Sequence, residues 1–363
     1  MIFYLDSSLA DVNDDNVEAH FIDFMENLCI ARKNGRHIIC AEIGTLNSLM
    51  AASRLGDRTI AMLAKVARRV RGKLSLFEAC TTYVRVVSAP GTYQKVCLPN
   101  GKDEIQISSD CVDSDELFIK PRFLVENRTD GVFYGGLAKI SLSRDQQLEN
   151  VILNYEIVAG GGSQTPREYQ NLKGKKHLTL CMVDSDVDYS GAPLGNNTAA
   201  PIFVMDQAVP PIVSKSVILN CYSAENLIHP AILKDVFKLK GTEAWFQDLK
   251  QFYDSDFWMF LALKQKKVCS DFTARNAKES YWLTKRGEFK VQGCQPVCVP
   301  KTCMIFKPLP AATLNEVAKH LEAGERGFMS EIDFGRHSIF AEWGSIANNL
   351  FSWACSGDRM SAI

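Results

Sequence analysis

Surplus charge of either sign is missing from this sequence. Its 363 residues carry 41 Lys and Arg against 42 Asp and Glu, a formal net charge of −1. A polyanionic partner would therefore have to meet a local basic surface, because the chain as a whole offers no attracting field. No apolar run approaches the roughly 18–20 residues that a membrane-spanning helix needs, so no membrane span is expected. The opening Met-Ile-Phe-Tyr-Leu-Asp lacks the positive region of a secretion signal. No Gly-x4-Gly-Lys-Ser/Thr phosphate loop occurs, so no ATPase is expected within the chain. The twelve cysteines are not arranged in paired short spacings. Cys29, Cys40, Cys181 and Cys221 stand singly in apolar runs, as small buried hydrophobes do. A reducing cytoplasm is the expected setting.

What is present suits a packed protein of two or three domains, with 46% apolar residues. Residues 1–117 read as an α/β domain of their own. Strands are expected at Ile2 to Leu5, His37 to Ala41, Tyr83 to Val87 and Tyr93 to Leu98. Another is expected at Glu104 to Ile107, after an Asn100-Gly101 turn. Helices are expected over Val17 to Arg32, Leu46 to Leu55 and Thr59 to Val70. Asp6 and Glu42 each follow a strand, which leaves open a second acidic metal site. Arg68, Arg69, Arg71 and Lys73 either track a phosphate backbone or balance a helix C-terminus.

Two later stretches carry more chemistry. Phe123 to Val125 stops at Glu126, with Asp130 four residues on; Leu178 to Val183 stops at Asp184, followed by Asp186 and Asp188. Short apolar runs of this kind read as buried parallel strands. Ligands of open α/β sheets bind beyond the carboxyl ends of such strands. Crowded carboxylates repel one another, and hard cations such as Mg²⁺ relieve them with oxygen coordination. Between the two strands lie a helical stretch from Thr129 to Ile140, a strand from Val151 to Val158 ending at Gly160-Gly-Gly162, and a further helix. The helical face is weakened by Gly135 and Gly136, and capping boxes are expected at Ser143-Arg-Asp-Gln146 and Thr165-Pro-Arg-Glu168. This alternation predicts a parallel sheet with right-handed crossovers. A fourth strand is expected from Ser216 to Cys221, with Ser223 capping a helix that carries Glu225.

The sequence Leu-Val-Glu126-Asn-Arg-Thr-Asp130, the Gly160-Gly-Gly162 turn and Val-Asp184-Ser-Asp186-Val-Asp188 together resemble the Toprim domain of topoisomerases, primases and certain nucleases. Cys221-Tyr-Ser-Ala-Glu225-Asn226-Leu-Ile resembles an element of the overcoming-lysogenization-defect nucleases, and the chain looks closest to the Toprim nucleases of PARIS-type anti-phage operons. The family usually has Gly where this chain has Asn127. The resemblance implies an α/β fold in which a Toprim-like parallel sheet flanked by helices (118–230) lies between the N-terminal domain and a mainly helical C-terminal region (231–363). It implies an Mg²⁺- or Mn²⁺-dependent endonuclease, the toxic effector of a defence system, held or triggered by a separate ATPase. A homo-oligomer is compatible with it. Glu126, Asp184 and Asp186 would hold one ion, and Asp130 with Glu126 or Asp188 a second, spaced so that both attacking and leaving oxygens are stabilised. The Asp-x-Asp spacing is expected to help because alternate residues of an extended segment face one way. Lys215 is a candidate for offsetting transition-state charge, and Glu225 and Asn226 for supporting roles. The alternatives are a catalytically silent binding subunit and a Toprim enzyme of DNA or RNA maturation.

Beyond residue 231, helices are expected over Ala231 to Leu239, Glu243 to Tyr253, Phe257 to Lys267, Leu314 to Leu321 and Phe340 to Ala354. Lys264, Lys266 and Lys267 either border a substrate channel or are simply solvated. Cys294, Cys298 and Cys303 are a weak zinc candidate, because their spacings of four and five are not those of paired zinc knuckles.

Overall fold

The computed structural model describes residues 1–69, 71–289, 303–335 and 337–359, with the side chains of 71–74, 114 and 244 left aside. Within residues 1–117, β1 (Ile2–Leu5), α1 (Ala19–Lys33), β2 (Ile38–Ala41), α2 (Ile43–Ala51), α3 (Asp57–Arg69), α4 (Arg71–Ala79), β3 (Thr82–Val86), β4 (Tyr93–Cys97) and β5 (Asp103–Ile107) follow one another. The sheet order is β2-β1-β3-β5-β4. The first four strands are parallel and β4 is antiparallel on β5. β2, Ile-Ile-Cys-Ala, is buried at every position, as an apolar run without alternation requires. β4 closes the edge and carries Lys95, a charged residue of the kind that blunts an open edge.

After the short α5 (Ser114–Leu117), the second sheet is built from β6 (Arg122–Val125), β8 (Glu156–Ala159), β9 (Thr179–Val183) and β10 (Ser214–Ile218), in the order β10-β9-β6-β8. All its pairings are parallel, as the sequence pattern requires. The helices are α6 (Arg128–Leu142), α7 (Thr165–Gly174) and α8 (Ala199–Ala208). Strand periodicity divides the core. Phe123, Val125, Leu180 and Met182 join the main apolar core, while Leu124, Cys181 and Val183 pack with Tyr169, Leu172 and Ile202 of α7 and α8.

The expected strand from Val151 to Val158 is instead two. β7 (Ile152–Leu153) pairs antiparallel with β13 (Cys355–Ser356), whereas β8 pairs with β6. The break is at Asn154, whose N–H donates to Ala354 O and whose side chain donates to Gly35 O at 2.7 Å. Ser143 does not open a helix: its N–H and hydroxyl donate back to Lys139 and Ile140, so it closes α6. Thr165 is the first residue of α7 rather than its cap, and its hydroxyl donates to Gly162 O at 2.6 Å.

The C-terminal region contains α9 (Pro230–Val236), α10 (Ala244–Tyr253), β11 (Lys267–Val268), α11 (Ala277–Lys285), β12 (Met304–Phe306), α12 (Thr313–Glu322) and α13 (Ile339–Ala354). The expected helix from Phe257 to Lys267 is absent, apart from a single 3-10 turn at Trp258–Phe260. Its carbonyls are spent elsewhere: Trp258 and Leu261 accept from Asn226, Met259 from Tyr222 N–H and Leu263 from Leu309 N–H. A helix needs those acceptors for itself.

α12 and α13 both lie against α6. Gly136 makes the α12 contact possible, since a Cβ there would fall 2.6 Å from Leu321 Cβ. Leu321 Cβ is fixed to its backbone, so α12 itself would have to move. Gly136→Ala is therefore expected to destabilise the chain by about 1–3 kcal/mol despite the better helix propensity of Ala. The urea midpoint measures this; an unchanged midpoint would mean that the helices part without cost.

Candidate metal centre

Glu126 and Asp184 directly follow β6 and β9, which are neighbours in the sheet with Val125 in register with Met182. Parallel pairing thus delivers both acids to one edge. The Asp184 N–H donates to Glu126 Oε1 at 3.3 Å, and the Thr198 hydroxyl donates to the same oxygen at 3.3 Å. The backbone of Glu126 is held from the other side. Its carbonyl accepts the N–H groups of Gly161 and Gly162 at 3.0 and 3.2 Å. Both glycines have positive φ, +77° and +63°, the conformation that gives glycine its place in this turn.

Asn127, the departure from the Toprim pattern, is extended, with φ −131° and ψ 151°, so its side chain is accommodated without backbone strain. Its N–H donates to Asp130 in the first turn of α6, at 2.9 Å. One turn on, the buried Tyr134 hydroxyl donates to Asp184 Oδ1 at 3.1 Å, and the Ala224 N–H donates to that oxygen at the same distance. Glu225 lies beside this group, accepting the Ser223 hydroxyl at 2.8 Å and pairing with Lys264 Nζ at 3.2 Å. Asn226 does not face the acids. Its amide donates to Trp258 O at 2.6 Å and Leu261 O at 2.9 Å, holding the segment that carries Lys264.

Electrostatics couple the group. Burial, then the carboxylate of Asp186, raises the pKa of Glu126. Burial pushes Asp130 from the usual 3.8 up to about 6. Asp184 is raised well above its ordinary value by burial and then by Asp130, Glu126 and Glu225. Asp186 is also raised, chiefly by burial. For Lys264, burial works to lower the pKa, but Glu225, Asp184 and Asp130 outweigh it and the net shift is upward. Folded-state values above unfolded ones mean that the native chain binds more protons. The metal-free chain is therefore expected to lose stability as pH rises from about 4 through about 6, with Asp130 alone worth on the order of 3 kcal/mol. Divalent cations should reverse the loss at pH 7.5. Thermal midpoints at pH 5 and 7.5, with and without Mg²⁺, check this; a metal-free midpoint that rises with pH would contradict it.

Several expected roles are not realised. Asp186 does not continue an extended run: its φ is +54°, a left-handed conformation that Asp tolerates better than most residues. It still reaches the field of Glu126, through a turn pinned by its N–H to Tyr222 O. Asp188 pairs with Lys278 of α11. Lys215 is paired in register with Leu180, at the opposite end of the strands, and sits 4.0 Å from Asp103 of the first sheet. Lys264, one of the cluster expected either to border a substrate channel or to be solvated, lies beside the acids instead of Lys215. Tyr134 was discoverable, because it lies four residues after Asp130 on a helix and so shares its face.

Arg68 and Arg69 are exposed at the end of α3. The side chains of Arg71 and Lys73 fall outside the described residues, as do Cys294 and Cys298 of the zinc candidate. Asp6 accepts from Arg85 Nε at 2.7 Å, and Glu42 is exposed at the start of α2.

The donor set, carboxylate oxygens only, is that of Mg²⁺ or Mn²⁺ rather than of a softer metal. Among the described residues, only Asp235, His320 and Glu325 bring three ligand atoms within 4.8 Å of one another. The strand-end acids stand further apart, as like charges do. No helix among the described residues is long and apolar enough to cross a membrane. No family model, curated protein or solved structure matches this chain.

Proposed function

We propose that this chain is a Toprim-type nuclease that hydrolyses nucleic-acid phosphodiester bonds with Mg²⁺ or Mn²⁺, and that it acts as the toxic effector of an anti-phage system controlled by a separate ATPase. The observation that carries this reading is the meeting of Glu126 and Asp184 at adjacent parallel strand ends, where burial and then neighbouring carboxylates, Asp186 for Glu126 and Asp130 and Glu126 for Asp184, raise both pKa values. Glu126, Asp184 and Asp186 would hold the ion, with Asp130 and Glu225 adding negative charge beside it. A divalent ion held by these carboxylates would polarise a phosphate and acidify a water. The chain's own groups do the positioning. Tyr134 and the Ala224 N–H fix the Asp184 carboxylate, and the glycine turn fixes Glu126. Lys264 brings positive charge to the same edge and can offset charge on the phosphate as the bond breaks.

The test is incubation of purified protein with plasmid, single-stranded DNA and tRNA, each with Mg²⁺ or Mn²⁺. Wild type is expected to cut at least one substrate, and Glu126→Gln and Asp186→Asn to cut none. Lys264→Met should slow cleavage by about 10²-fold or more while leaving metal binding in place. Cleavage unchanged in both carboxylate variants would remove the catalytic assignment. No cleavage by wild type would leave a binding subunit instead.

A further inference from the structure

Away from the strand-end acids, α9, α12 and the loop after α12 converge on one histidine. His320, in the last turn of α12, is nearly buried, with a relative exposure of 9%. Its Nε2 lies 3.0 Å from Asp235 Oδ2 of α9, and its Nδ1 lies 3.2 Å from Glu325 Oε2. The chain turns at Gly324, with φ +80°, and this brings Glu325 back over the helix it has just left. One ligand atom from each residue falls within 4.8 Å of the other two. We propose that Asp235, His320 and Glu325 form a second divalent-metal site, selective for a transition metal such as Zn²⁺ or Co²⁺ over Mg²⁺. This proposal is independent of the nuclease reading.

The chemistry follows from the donors. One imidazole and two carboxylates suit borderline first-row ions, and Mg²⁺ prefers an all-oxygen set. Three protein ligands leave further positions to water, and the side of Glu325 is open, since its side chain is 55% exposed. The competing charge is Lys238, 3.5 Å from Asp235 and itself 73% exposed, so it can be displaced into water. Each ring nitrogen of His320 faces a carboxylate. The ion would tie α9 to α12. α12 packs on α6, which carries Asp130 and Tyr134, and α9 follows the turn that carries Glu225.

The full chain is stripped with chelator, equilibrated with excess Mg²⁺ to occupy the strand-end acids, and titrated with Co²⁺. One equivalent is expected to bind with a visible spectrum free of the thiolate-to-cobalt charge-transfer band that cysteine ligation gives. Glu325→Gln, a change at an exposed loop residue, should weaken binding by about tenfold or more, and His320→Gln should remove it. Affinity in Glu325→Gln equal to wild type, cobalt carrying only a thiolate band, or no bound cobalt would each overturn the proposal.

Discussion

Asp184→Asn is expected to lose metal-dependent cleavage by about 10³-fold, the several kcal/mol that a ligand to a catalytic ion supplies, and to make the metal-free chain more stable at pH 7.5. The two effects have one cause. Asn keeps an acceptor at Oδ1 for the Tyr134 hydroxyl and the Ala224 N–H, so the local bonds survive. What goes is a negative charge that burial, Asp130, Glu126 and Glu225 all disfavour. A structural Asp184 would behave in the opposite way: its replacement would lower the thermal midpoint and leave cleavage intact. Measuring both quantities on one preparation separates the cases.

Asn226→Ala is expected to cost about 3–5 kcal/mol of stability, although Asn226 touches none of the acids. The amide is completely buried, donates to Trp258 O and Leu261 O, and accepts the Ser223 N–H at 2.9 Å. Truncation strands the Leu261 carbonyl and the Ser223 N–H away from water, each at about 1–3 kcal/mol, and leaves Trp258 O with only the Leu261 N–H at 3.2 Å. The change should also slow cleavage, because Leu261 and Lys264 belong to the segment that Asn226 holds. Urea unfolding reads the stability, and a loss under about 1 kcal/mol would show that the segment is held by its apolar contacts instead. Ser223→Ala removes a hydroxyl that donates to Glu225 and should be milder.

These residues also show what could be read from the sequence. The strand ends at Glu126 and Asp184 were legible because a buried parallel strand is an uninterrupted apolar run, and its end is marked by the first charge. α6, α12 and α13 were legible from helical periodicity, whereas the helix expected after Ser223 is a 3-10 turn over Ala224–Leu227 and the Ser223 hydroxyl donates to Glu225. Non-local geometry was not legible. Val151 to Val158 reads as one strand, yet Asn154 hands its two halves to different partners. Phe257 to Lys267 has the apolar spacing of a helix, but Asn226, Tyr222 and Leu309 take its carbonyls. Gly135 and Gly136 look like weak points in a helix. In the fold, they let α6 approach Tyr155 and Leu321 closely. Lys264 and Lys215 cannot be told apart as solvated lysines until the sheet places one at the carboxyl edge and the other at the far end.

The left-handed Asp186 belongs to the same class. Extended alternation would have aimed Asp184 and Asp186 to one side. The chain instead bends at Asp186 and keeps the carboxylate near Glu126 by a different route. Unfavourable backbone conformations of this kind persist where surrounding structure enforces them, and functional sites are where they gather.

The most direct test is anomalous diffraction from crystals of the full chain soaked in Mn²⁺ at pH 7.5. A manganese peak bounded by the carboxylates of Glu126, Asp184 and Asp186 is the expected result, with those side chains drawn closer than they stand without the ion. A map with no peak there, and with Asp184 still bonded only to Tyr134 and the Ala224 N–H, would contradict the assignment.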